Sequence, residues 1–453
     1  MGQLPRRSKR HWIALACVLA LAFGLRLGWI ALAALDPSEG DYFDMIFYHL
    51  TAHRLLDGDG YTRLDGTPTA VWPPLYPILL AGVYALSDGS LEAGRLANPF
   101  LSTLTTFFTY AIGRRLAGGR VGLLAAGLFA ACPDEIFFSN FVMSEVAFVA
   151  VFTGVVWLFV VLDQREPATS PFGWAATGWA ALGVGIALAS LTRGVAIAWL
   201  AIPVLITALA ARSPRGAALR SAGLRGAFAA LGLGLALLPW TIRNYIQLGA
   251  PIPLATSLGR TLGHAHSPYQ AGGASIKGLL YWRRIGDRYA DLPQPEREVV
   301  TNRVLTRMTL EYMLSHPRHE LSIFPAHVLA LFRHGHVGLE LGRKKLPGDI
   351  PEPFVSDAWH RGIAGIADGQ FYVLLGLGLA GLPLFFRREA TTALVIPLTL
   401  AYFTALHTLL FPDDPRFHLP MLPLLSISAA GLVVGFARRL RPSNPSSTDT
   451  PSV

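Results

Sequence analysis

The chain has 453 residues, 52% of them hydrophobic and only 15% charged, with a formal net charge of +9. Soluble domains carry about 25% charged residues, so the composition excludes an ordinary soluble protein. The basic excess does not indicate nucleic acid either, because the arginines cluster at the ends of apolar runs, as positive-inside loops do.

Several apolar runs reach the roughly 17–25 residues that a helix needs to cross a hydrocarbon core. A transmembrane β-barrel would show short alternating segments instead. The expected fold class is therefore all-α, a polytopic transmembrane helical protein of about 10–12 spans with external juxtamembrane helices.

The basic N-terminus, MGQLPRRSKR, precedes an apolar run from Trp12 to Leu35. A signal peptide cleaved near Ala31-Leu32-Ala33 is the competing reading, but the run is long for one, so an uncleaved first span is expected. A polar loop, 36–71, follows. The segment from Trp72 to Leu86 is short and opens on Pro73 and Pro74, which suit a helix start. Apolar segments then lie near 96–113, 121–133, 144–162, 173–191, 194–211 and 224–242. A long polar stretch runs from Arg243 to Arg318, and three more spans lie near 369–386, 390–411 and 419–437. The tail RPSNPSSTDTPSV has a disordered composition.

Two segments, 72–86 and 320–333, leave the topology open. If neither crosses, ten helices span and both termini are cytoplasmic. Arg114, Arg115, Arg120, Arg165, Arg212, Arg215, Arg220, Arg225, Arg387 and Arg388 then all lie inside. If both cross, twelve span and the first three of these clusters move outside, against the positive-inside bias. The ten-span arrangement is preferred, with 72–86 re-entrant or interfacial. It divides the chain into a transmembrane catalytic module (1–242, including loop 36–71), an external region (243–368), C-terminal transmembrane helices (369–437) and a disordered cytoplasmic tail (438–453). Both long polar regions then share the non-cytoplasmic side, and the spans are nearly free of charge.

Asp41, Asp44 and Tyr48 are spaced by three and four, so on a helix they share one face. Helix capping explains the acids without chemistry, but a carboxylate beside the bilayer has raised proton affinity and suits a general base. Tyr48 reads as an interfacial anchor, and His49 points elsewhere on the helix. Glu145, in Met143-Ser144-Glu145, is a first-turn acid or a site carboxylate. Arg243 and Arg416 end external segments where positive-inside logic disfavours them, unless they bind a phosphate; Arg193 is a weaker case. The chain has 13 histidines. The pairs His264/His266 and His334/His336 read as lacking an acid at helical spacing, so no metal site is expected. The two cysteines read as buried small hydrophobes. Walker, dinucleotide and GxSxG motifs are absent.

Taken in order, Asp44-x-x-x-Tyr48-His49, LLDGDGY (55–61), PTAVWPPLYP (68–77), MSE (143–145), LTRG (191–194), PWTIRN (239–244) and DPRFHLP (414–420) resemble the membrane-embedded glycosyltransferases of the C-type fold. More narrowly, they resemble the bacterial family related to the protein O-mannosyltransferases and the lipid A aminoarabinose transferase. The resemblance spans residues 12–437. It implies a polyprenyl-phosphate sugar donor, a protein, lipid or glycan acceptor, and inverting transfer at the external face of the cytoplasmic membrane. No cofactor is implied, and metal dependence stays open. It implies Asp44 as base, Glu145 as supporting acid, Arg243 and Arg416 at the donor phosphate, and Asp41, Tyr48 and His49 near substrate. Relatives often carry an adjacent acidic pair in this loop, whereas here the aspartates are three apart. The acid and lysine that precede the PP motif in the aminoarabinose transferase are absent, so lipid A is not carried over as acceptor. The rival reading is a transporter or flippase for lipid-linked sugars.

Overall fold

A computed structural model describes residues 9–33, 43–165, 174–210, 215–269, 276–341, 357–386, 391–410 and 414–440. Asp41, most of the loop N-terminal to it and the tail beyond 440 lie outside these residues, as do Arg387 and Arg388.

Helices account for all the named elements. In chain order they are α1 (Lys9–Leu32), α2 (Phe43–Asp57), α3 (Leu75–Tyr84), α4 (Leu91–Ala117), α5 (Gly119–Ala130), α6 (Pro133–Phe138) and α7 (Ser144–Arg165). Next come α8 (Trp174–Thr192), a 3-10 helix (Gly194–Leu200) leading into α9 (Ala201–Ala210), and α10 (Arg215–Leu248). The external region holds α11 (Leu258–Ala265), α12 (Ile276–Asp287), α13 (Glu296–Ser315), α14 (Pro317–Leu331) and α15 (Val337–Leu341). The chain closes with α16 (Asp357–Gly381), α17 (Pro383–Phe386), α18 (Val395–Leu410), a 3-10 helix (Pro415–Met421) and α19 (Leu422–Arg439).

Among the described residues, six helical stretches are long and apolar enough to cross a membrane: Lys9–Leu32, Ser144–Gln164, Leu219–Leu248, Ala358–Phe386, Thr391–Leu410 and Pro415–Arg439. Shorter apolar helices accompany them, and each of the ten segments read as spans from the sequence is helical. The two doubtful segments are short. With 10 residues in α3 and 15 in α14, they extend about 15 and 22 Å, against about 30 Å of hydrocarbon.

Local chemistry sets the helix ends. In α4 the Ser90 side chain accepts from Ala93 N, Glu92 lies in the first turn and Arg114 and Arg115 in the last, as the helix dipole favours. Gly118, at φ 97°, ends it in a backbone region that suits glycine. Buried hydroxyls inside the bundle turn back on their own helix: Thr106 donates to Ser102 O at 2.9 Å and Thr109 to Thr105 O at 2.8 Å. Helices approach closely at small residues. A side chain on Gly183 of α8 would collide with the Ala229 carbonyl of α10, and one on Gly232 with the Ala180 carbonyl.

A buried charge interrupts the first of the spans, which were expected to be nearly charge-free. Arg26 of α1 is fully buried. Its guanidinium donates to Ser102 Oγ at 2.7 Å and to the Ala130 carbonyl at 2.5 Å, so α4 and α5 supply acceptors that lipid would not. Nothing in the sequence around Arg26 signals those partners.

Cross-bundle contacts define two faces. At one, His11 bonds Tyr110 at 2.8 Å and Arg115 donates to Gln164 at 3.3 Å. At the other, Arg95 donates to Ala33 O at 2.8 Å, Asn98 to Phe141 O at 2.8 Å, and Trp240 to Leu254 O at 2.8 Å. The loop 58–74 and the region 249–341 meet on this second face, as expected for two polar regions on one side. Glu298 of α13 is the clasp between them. Its carboxylate is 3% exposed and pairs with Arg63. It also accepts from Thr69 Oγ1 at 2.7 Å, from Ala70 N at 2.9 Å and from Thr256 Oγ1. Arg243 holds the same loop from α10, donating to Thr69 O at 2.7 Å and to Tyr61 O.

Two outcomes test this packing. Gly232→Val inserts volume between α8 and α10, costs about 1–3 kcal/mol and lowers the melting temperature in detergent. Glu298→Ala leaves Arg63 and the Ala70 N–H without their acceptor, at about 1–3 kcal/mol. Hydrogen exchange then accelerates over 61–71 while the spans stay protected.

Candidate active site

Asp44 sits in the first turn of α2, where the unpaired N–H groups of the helix start favour a carboxylate. Its side chain is 26% exposed, and Arg416 Nη1 lies 3.4 Å from Oδ2. Arg416 comes from Asp414-Pro415-Arg416. Asp414 caps the 3-10 helix by accepting from Arg416 N at 3.2 Å, Pro415 takes the first helical position, and the same carboxylate meets Arg416 Nε at 2.6 Å. One guanidinium is thus aimed from two sides.

Its third neighbour is Glu145 Oε1, at 3.4 Å. Glu145 opens α7 and is buried, with a side chain 4% exposed. Arg193, just past the C-terminus of α8, reaches the same oxygen at 2.8 Å and donates to Ser144 Oγ at 3.2 Å. Both arginines also lie over the Phe417 ring, at 5.0 and 5.2 Å. The four groups form an ionic chain, Asp44–Arg416–Glu145–Arg193, with Asp44 at its open end. Around its inner end lies a cavity of about 10 Å³, room for at most a single water.

Burial raises the proton affinity of Asp44. The Arg416 charge opposes that rise and the Glu145 charge adds to it. Tyr48, one turn on, is buried and donates to Ser144 Oγ at 3.3 Å, and burial pushes its phenol up as well. Its ring packs edge-on against Tyr76 at 5.0 Å.

The structure therefore brings Asp44, Tyr48, Glu145 and Arg416 together, with Arg193 beside them. It does not bring in His49 or Arg243. His49 turns toward α3, with Nδ1 2.7 Å from Tyr84 OH. Arg243 spends its donors on the carbonyls of Tyr61 and Thr69 and on Asn244 Oδ1. Its ring neighbours are Tyr61 and Trp240. Arg243, expected as the principal phosphate clamp, holds the loop through the carbonyls of Tyr61 and Thr69.

A larger cavity of about 320 Å³ opens between loop 61–71 and α11–α13. Its lining includes Arg63, Arg260, Arg283 and Arg297 against Asp287 and Glu298, so arginines outnumber acids. Arg260 lies over the Trp72 ring at 5.5 Å and lowers the proton affinity of Asp44, which links this cavity to the ionic chain. Arg260 and Glu298 were not singled out from the sequence. Both lie in a polar amphipathic stretch whose solvated and buried charges look alike. One sequence signal was misjudged: His336 does have an acid four residues on, Glu340.

Residues 71–242 match the profile of the family described as dolichyl-phosphate-mannose-protein mannosyltransferase. Among curated proteins none matches the chain. Among solved structures, the fold is similar to that of the Archaeoglobus fulgidus oligosaccharyltransferase in complex with zinc and sulfate. The TM-score is 0.56 at 13% identity, covering 94% of this chain and 49% of that one. The same archaeal enzyme, AglB, in complex with an inhibitory peptide and a dolichol-phosphate aligns at TM-score 0.53 and 14% identity, covering 95% and 51%. The chain thus spans about half the length of these solved chains. It is a multi-pass helical membrane protein with the C-type glycosyltransferase fold, and its residues 71–242 match the dolichyl-phosphate-mannose-protein mannosyltransferase family profile.

Proposed function

We propose that the protein is an integral membrane glycosyltransferase that moves a sugar from a polyprenyl phosphate to an acceptor hydroxyl. The observation that carries this reading is the partly exposed Asp44 carboxylate, 3.4 Å from an arginine that two further carboxylates hold in place. A base and a fixed cation at one opening are what such a transfer requires. The base takes the acceptor proton, and the cation offsets the charge that develops on the departing phosphate.

The step is a single displacement. Asp44 accepts the hydroxyl proton, and the acceptor oxygen forms a bond to the anomeric carbon. The bond from that carbon to the phosphate oxygen breaks, and the polyprenyl phosphate leaves with the electron pair. Attack opposite the leaving group inverts the anomeric centre. Arg416 faces Asp44 directly and serves the phosphate, with Arg260 on the side of the larger cavity. Glu145 fixes Arg416 and neutralises Arg193, so the cluster does not trap a second anion. The arginine-lined cavity by α11–α13 receives the polar head of a substrate. Residues 1–242 carry the base, and the 369–437 helices supply Arg416.

The site faces the periplasm or cell exterior across the cytoplasmic membrane, with both termini cytoplasmic. The distribution of arginine supports this orientation. Arg114, Arg115, Arg438 and Arg439 lie at helix ends remote from Asp44, on the face that the positive-inside rule assigns to the cytoplasm.

Purified protein in detergent, given polyprenyl-phosphate sugars and acceptors of each class, releases polyprenyl phosphate. Asp44→Asn lowers turnover by roughly 10²–10⁴-fold, the usual share of a general base, with an unchanged melting temperature. A folded Asp44→Asn protein that turns over at the wild-type rate ends the proposal, and vectorial movement of intact donor without cleavage favours the transporter reading.

The pH profile supplies a second test. The base acts ionised, so kcat/KM falls as pH drops through the Asp44 pKa, and that limb lies above the ordinary aspartate value of about 3.9. Arg416→Ala removes the charge that holds this pKa down, so the limb moves to higher pH. Arg416→Lys restores its position in part.

A further inference from the structure

The loop between α14 and α15 carries a second cluster of chemistry-bearing side chains, apart from Asp44. Asp368 of α16 organises it. Its Oδ1 accepts from Gly335 N at 2.8 Å and lies 2.7 Å from His336 Nδ1. A carboxylate only accepts, so the His336 proton sits on Nδ1 and the Nε2 lone pair points away from Asp368. It points at Glu340 Oε1, 3.2 Å distant. The other oxygen of Glu340 lies 3.5 Å from His334 Nε2. The two imidazoles stack at 4.4 Å between centroids, and the ligand atoms of His334, His336 and Glu340 all lie within 4.8 Å of one another.

Metal–ligand bonds of about 2.0–2.2 Å put neighbouring donors of a tetrahedral zinc site about 3.3 Å apart. Glu340 approaches that spacing with one oxygen to each ring, Oε1 3.2 Å from His336 Nε2 and Oε2 3.5 Å from His334 Nε2. His336 Nε2 and Glu340 Oε1 face each other across a gap that a shared proton or a metal ion would bridge. Asp368 stands where a carboxylate fixes the tautomer of a metal-ligating histidine. We propose that His334, His336 and Glu340 form a zinc site, with Asp368 orienting His336 and the fourth position open to solvent on the side of Glu340, which is 45% exposed. Two imidazoles and one carboxylate suit zinc better than the oxygen-seeking calcium or magnesium.

The site does not rest on the sugar-transfer reading. Its place in the fold gives it a consequence for the ionic chain. Gly338 N donates to Asp134 Oδ1 at 3.1 Å, and Asp134 Oδ2 lies 3.0 Å from His418 Nε2, two residues from Arg416. Zinc would anchor 334–340 to α16 and, through Asp134, brace the 3-10 helix that carries Arg416. It is a positioning element rather than a reacting one.

The test is equilibrium dialysis of the full chain in detergent, stripped with chelator and titrated with zinc alone. One zinc binds per chain and raises the melting temperature. His336→Ala and Glu340→Gln each weaken binding by roughly 100-fold or more and abolish the thermal shift, and Asp368→Asn weakens binding by roughly 10–100-fold. Glu340→Gln, on a half-exposed side chain, keeps the fold if His336→Ala does not. Stripped wild-type protein that binds no zinc overturns the proposal, and so does a folded Glu340→Gln protein that binds it as tightly as wild type.

Discussion

Arg416 joins groups that the chain keeps far apart, and the candidate site depends on that pairing. Its guanidinium faces Asp44 from the first external helix, Glu145 from the start of α7 and Asp414 from its own turn. At a membrane surface, where the effective dielectric falls, an unpaired charge of either sign is expensive. The cluster avoids that cost by alternating sign along its length. Glu145 is closed off from solvent, whereas the Asp44 and Asp414 carboxylates at the cluster's edges stay partly open.

The external elements serve this arrangement by fixing a loop. Residues 61–71 have little regular structure beyond one isolated bridge, Thr62 to Pro68, and hold their shape through Glu298 on one side and Arg243 on the other. Arg243 holds the loop by its backbone carbonyls, and Glu298 holds it by the Arg63 and Thr69 side chains and the Ala70 N–H.

Much of this was legible in the sequence. The spans follow from unbroken apolar length, a property the membrane imposes on every crossing helix. Asp44 stood out as a carboxylate at a helix start beside the bilayer, although capping alone accounts for such a residue. Arg193 was underweighted because its turn is short, although the short turn is what brings it to Glu145. Arg243 shows what charge bias leaves open. Charge bias identifies an arginine that needs a reason to be outside, but it does not say whether a phosphate or a bent loop supplies the reason. Glu298 and Arg26 were illegible, since their partners come from remote segments and neither shows in any local period. The acid that follows His336 by four was visible, yet it gained meaning only when Asp368 of another helix proved to fix the ring.

The separation of 372 residues between Asp44 and Arg416 also bears on biogenesis. At a synthesis rate of about 5–20 residues per second, Asp44 precedes its partner by roughly 20–70 s. Throughout that interval the nascent chain has the Asp44 carboxylate without the guanidinium it faces at 3.4 Å. The ionic chain closes only when the last hairpin inserts. A truncated or stalled product therefore has Asp44 without Arg416 and cannot complete the ionic chain.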